Sequence, residues 1–119
     1  MPTGSCNDIK PAIVDPVACD LTVLSQDQRK RHGELTRLVL SKRDSVKELE
    51  NGYQLMFKNE TDILLKIAEW MALERACCPF FSFSLEVEGN EMPVRLSLEG
   101  PDGTKQILQA ALEEVVGKL

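Results

Sequence analysis

The period of the apolar pattern changes at one point in this chain, and that point limits the fold more than any other feature. Ile63, Ile67, Trp70, Glu74 and Cys77 recur at spacings of four and three, the repeat of one face of an α-helix. Leu64, Ala68, Met71, Arg75 and Cys78 form the adjacent row. Pro79 cannot continue the helix, because it lacks an N–H and its ring clashes with the preceding turn. Beyond it Phe81, Phe83, Leu85 and Val87 alternate with Ser82, Ser84, Glu86 and Glu88, the repeat of a half-buried strand. A helix of roughly 15 residues, capped by Asn59 or Thr61, therefore gives way directly to a strand.

The flanking segments extend this pattern. Ser25 and Gln28, three apart, form a capping box that opens a first helix. That helix has an apolar stripe of Leu35, Leu38 and Val39. Arg29, Lys30, Arg31, Arg37 and Lys42 make its other face basic, which reads as a solvated surface. Asn51-Gly52 lies between SVKELE and YQLMFK, a hairpin signal because both residues tolerate positive φ. A two-residue turn there sets Glu48 opposite Leu55 and Glu50 opposite Tyr53, on the face that should be buried. A longer or bulged turn is therefore expected, or a polar site beside Glu48. Val94, Leu96 and Leu98 alternate with Arg95, Ser97 and Glu99, and Gly100-Pro101-Asp102-Gly103 breaks the chain. A final amphipathic helix runs through Ile107, Leu108, Ala111, Leu112 and Val115.

The resulting order is α-β-β-α-β-β-α. It predicts an α+β domain with a four-stranded antiparallel sheet and helices mainly on one face. The most apolar helix, the one ending at Cys77, is expected at the centre of the helical layer. Dimerisation is a natural cover for the other sheet face, so a homodimer is expected, although the Ser, Glu and Arg residues there mark the face as mostly wet. Residues 1–18 hold Pro2, Pro11 and Pro16 without periodicity and read as an extended N-terminal arm. Residues 19–119 read as the single domain.

A chain of 119 residues is one domain's worth. A net charge of −5 argues against sequence-independent nucleic-acid binding, which needs clustered positive charge. No apolar run approaches the roughly 20 residues that span a bilayer. The first residues show neither the basic nor the apolar part of a secretory signal. A cytoplasmic protein is expected, and there cysteines are expected as thiols rather than as a disulfide framework. Cys6, Cys19, Cys77 and Cys78 match no zinc-finger or CxxC spacing. Cys77 and Cys78 are poor partners for each other, since adjacent Cα atoms lie about 3.8 Å apart, below the usual disulfide range.

Glu74 is the unusual residue of the run EWMALERACCPFF. It lies on the apolar row, with Cys77 three and Cys78 four residues on, both neighbours on a helix. A carboxylate buried there must find a partner or be protonated. The default for thiols without a recognised spacing is core packing, with Glu74 held by Arg75, by a basic residue of the first helix or by backbone amides. The leading functional reading is a thiol-based site for a soft metal or an electrophile. It centres on Glu74, Cys77 and Cys78, with Cys19 or His32 completing it, and suits Zn²⁺ or a softer ion such as Hg²⁺ or Cu⁺. A thiol-dependent enzyme is disfavoured, because a helix C-terminus and a carboxylate both raise a thiol pKa. His32 alone, in RKRHGEL, reads by default as a surface or interhelical histidine.

The segments CDLTVLS, GYQLMF, ALERACCPFFSFSLEVE and VRLSLEGPDGTKQIL together resemble a family of small, uncharacterised bacterial proteins. An E-x-x-C-C-P-F motif followed by two strands and a G-P-x-G turn marks that family, and the likeness spans residues 18–110. It implies no activity, but it directs attention to Cys19, Glu74, Cys77 and Cys78.

Overall fold

A computed structural model describes residues 18–116. The 1–18 arm, apart from Ala18, and the Val115 side chain lie outside the described residues. A 3-10 turn, Leu21–Val23, leads into α1 (Gln26–Ser41). There follow β1 (Ser45–Leu49), β2 (Gly52–Phe57), α2 (Thr61–Cys77), β3 (Ser82–Glu86), β4 (Val94–Glu99) and α3 (Thr104–Val116). This is the expected α-β-β-α-β-β-α order.

The four strands form one antiparallel sheet in the order β1-β2-β4-β3. Each hairpin is sequential, and the two join through β2 and β4. Tyr53 faces Leu98, Leu55 faces Leu96 and Phe57 faces Val94. Across β4, Phe83 faces Leu98 and Leu85 faces Leu96. Paired residues share a face, so these side chains form one apolar surface beneath the helices. Leu55, Phe57, Leu96 and Leu98 are all but inaccessible, and each such burial is worth roughly 1.5–3 kcal/mol. The opposite face is polar. Gln54 Nε2 donates to Ser97 Oγ at 3.0 Å, and Arg95 reaches Glu86 at 3.0 Å and Glu88 at 3.4 Å.

The hairpin corrects the expected register. No bulge forms: the chain turns through Glu50 and Asn51, and Gly52 is already in the ladder opposite Leu49. Glu48 consequently faces Tyr53, two residues from the expected partner. It escapes burial because β1 is an edge strand, and its carboxylate pairs with Lys105 of α3. Gly52 is required by crowding rather than by positive φ. A Cβ there would fall 1.8 Å from the Leu98 carbonyl oxygen.

The helices also differ from expectation in two respects. The Ser25–Gln28 capping box forms as read. At α2, however, the N-cap is Glu60 without a side-chain bond. The Asn59 amide donates instead to the carbonyls of Gly89 and Met92, at 2.8 and 2.9 Å, and so anchors the β3–β4 loop. In the helical layer α1, not α2, is the middle helix, packed against both α2 and α3. Trp70 explains the contact between α1 and α2. Its indole Nε1 donates to Thr36 Oγ1 at 2.9 Å, Thr36 donates to the His32 carbonyl at 2.7 Å, and the indole packs edge-on to Phe83. Among the described residues no helix is long and apolar enough to cross a membrane.

Replacing Gly52 by alanine should force β2 and β4 apart and lower stability by about 2 kcal/mol or more. Urea denaturation measures this, and an unchanged midpoint would refute the close-approach argument.

Candidate functional site

The C-terminal turn of α2 carries the site. Its inward row, Ile63, Ile67, Trp70, Glu74 and Cys77, is buried as the periodicity requires. Glu74 thus enters the interior at the last turn, with 7% of its surface exposed. The partner that burial demands comes from α1: His32 Nε2 lies 2.5 Å from Glu74 Oε1. Against an ionised carboxylate, Nε2 must carry the proton. His32 is therefore interhelical, and its side chain is only 13% exposed. Its sequence position allowed this, because His32 precedes Leu35 and Val39 by three and seven residues and so shares their stripe.

The cysteines depart from the expectation of free thiols. Cys19 and Cys78 form a disulfide, with Cα atoms 4.5 Å apart and a sequence separation of 59. Two local features bring them together. Pro79 stops the helix, leaving Cys78 as its C-cap in a non-helical conformation, so its side chain no longer follows the helical row. On the other side, Asp20 accepts from the Thr22 amide to close the 3-10 turn, and the Asp20 amide donates to the Cys77 carbonyl at 2.7 Å. That backbone bond draws Cys19 to the end of α2. Nothing in the spacing of the cysteines announced the pairing, since it depends on a contact between segments 59 residues apart.

Cys77 remains a free thiol and is fully buried. Its sulfur lies 3.7 Å from Cys78 Sγ and 3.7 Å from His32 Nε2. Burial, with the Glu74 carboxylate second, pushes its pKa up to about 11. Cys19, by contrast, is exposed. The site residues read from sequence, Cys19, Glu74, Cys77 and Cys78, are thus all brought together, and His32 joins them. Cys19, Glu74 and Cys78 offer donor atoms within 4.8 Å of one another, and so do His32, Glu74 and Cys77. Glu74 belongs to both groups. In the bridged state two of the sulfurs are committed to each other, so the full donor set exists only in the dithiol.

A cavity of about 170 Å³ adjoins this cluster. Cys19, His32 and Glu74 stand in its wall, and the remainder is largely carbon from α1, the sheet and α3, including Leu40, Leu55 and Leu108. Comparison with protein families, with curated proteins and with solved structures finds no match to this chain.

In a Cys6→Ser protein, Cys77 is the one thiol left beside the bridge. Its alkylation in the native state should be negligible at pH 8 and rise only towards pH 11. The sign for stability follows from the same shift. An unfolded thiol ionises near 8.5, so the folded state retains the proton longer. The contribution is complete below about pH 8.5 and lost as pH rises towards about 11. Melting temperature should fall across that window, and Cys77→Ala should remove this component. Rapid native alkylation at pH 8 would contradict the burial argument.

Proposed function

We propose that the protein is a thiol-based binding module for a soft metal ion, opened and closed by the redox state of the Cys19–Cys78 pair. The observation that carries this is the convergence of Cys19, Cys77, Cys78, Glu74 and His32 in two donor groups that share Glu74. Thiolate and imidazole donors suit Zn²⁺ and softer ions. A tetrahedral ion with bonds of about 2.3 Å to sulfur separates two sulfurs by about 3.8 Å. The 3.7 Å between the Cys77 and Cys78 sulfurs matches that span. The raised pKa of Cys77 disfavours thiol catalysis, but a bound cation reverses it by deprotonating the thiol it coordinates. In a reducing, cytoplasmic setting a disulfide is characteristically transient, so the bridge reads as one state of a couple.

A second reading is favoured by the full burial of Cys77: the bridge is a structural staple and Cys77 is core. A loop of this length closed by a disulfide stabilises by roughly 4 kcal/mol in the chain-entropy model. The two readings separate on reduction. By the binding reading, phosphine-reduced protein takes up one Zn²⁺ or Cd²⁺ in native mass spectrometry, whereas the bridged form takes none. Cys78→Ser should abolish uptake, and Glu74→Gln should weaken it about tenfold or more. Reduced protein that stays folded and binds neither ion would establish the staple instead.

A further inference from the structure

The cavity wall exposes almost only carbon, and several of its polar side chains are turned to one another. Glu74 Oε1 is met by His32. The Thr36 hydroxyl accepts from Trp70 and donates to the His32 carbonyl. Ligands therefore meet mainly carbon. A volume of about 170 Å³ is in the range where apolar protein cavities accept a single aromatic ring: one of about 150 Å³ binds benzene. Cys19 is the cysteine that stands in this wall, and its disulfide partner Cys78 is the next sulfur behind it. An apolar, ring-sized cavity thus opens beside a pair of sulfurs held close enough to bond.

We infer that, in the dithiol state, the cavity and the Cys19–Cys78 pair together bind a thiophilic centre carrying one small apolar organic group. The group fills the cavity and the centre bonds to both sulfurs. This rests on the thiol-binding reading above and narrows its ligand from a bare ion to an organic derivative. A bare ion would use the sulfurs and leave the cavity unused.

Phenylarsine oxide is a probe with this chemistry. A phosphine and water first convert the disulfide to two thiols and the phosphine to its oxide. The two thiols then displace the arsenic-bound oxygen. Two As–S bonds form, the bonds from arsenic to oxygen break, and both thiol protons leave in one water molecule. Arsenic keeps its oxidation state and its phenyl group.

The test compares phenylarsine oxide with its methyl counterpart on the reduced full-length Cys6→Ser protein, each affinity referred to that for a free small dithiol. Both form two As–S bonds, so the comparison isolates the organic group. The phenyl compound should gain about tenfold or more over the methyl compound relative to the free dithiol. Ala111→Leu, which extends a side chain of the cavity wall, should reduce that gain while leaving methyl binding in place. The comparison on the Cys6→Ser protein is decisive even if the Ala111→Leu variant is poorly folded. If both compounds bind but the phenyl gain is absent, the cavity inference is overturned and the thiol-binding reading stands. If neither binds the reduced, folded protein, the thiol-binding reading fails and takes the inference with it.

Discussion

The pairing of Glu74 with His32 is the interaction on which the arrangement of this protein depends. A carboxylate on the inward row of α2 cannot be left alone in the interior. Its partner, 2.5 Å away, projects from α1, so satisfying the charge fixes how one helix lies against the other. The Trp70–Thr36–His32 hydrogen-bond chain secures the same contact one turn earlier along α2. An apolar residue at position 74 would pack without specifying a register. With the pair formed, the end of α2 lies beside Cys19, and His32 and Glu74 both stand in the cavity wall.

The bridge and the buried thiol occupy one short stretch of chain but have opposite character. Cys78 has left the helical geometry, whereas Cys77 is still its last residue. Both are buried, but one is bonded to Cys19, and the other remains a thiol beside His32. Adjacent cysteines on a regular helix would differ by about 100° in direction and share one environment less sharply. Pro79 makes the difference, since it forces the helix to end between them. Vicinal cysteines thereby acquire different protonation and different partners.

Much of the architecture was legible in the sequence because it rests on local periodicity. The inward row of α2, the alternation of β3 and β4 and the capping box at Ser25 depend only on near neighbours, and each stands where the residues indicate. The departures arise where distant segments compete. Asn59 is a reasonable helix cap, but the β3–β4 loop claims its amide. The hairpin turn slips by one residue because Gly52 is needed where β2 passes close to Leu98. The residues of the candidate site were visible as an oddity, a carboxylate on an apolar row next to paired cysteines. Cys19 and His32 were candidates to complete it, but which residue each would meet, Cys78 for one and Glu74 for the other, was not legible, because those contacts are tertiary and carry no spacing.

The backbone bond from the Asp20 amide to the Cys77 carbonyl bears on what happens when the disulfide opens. It is independent of either sulfur, so reduction leaves Cys19 tethered one residue from its anchor. The two thiols then behave as a preorganised chelate with a high effective molarity, rather than as the ends of a loop of 59 residues. Reclosure and, on the binding reading we propose, bidentate capture share that advantage. An oxidant and a thiophile would therefore compete for the same poised pair.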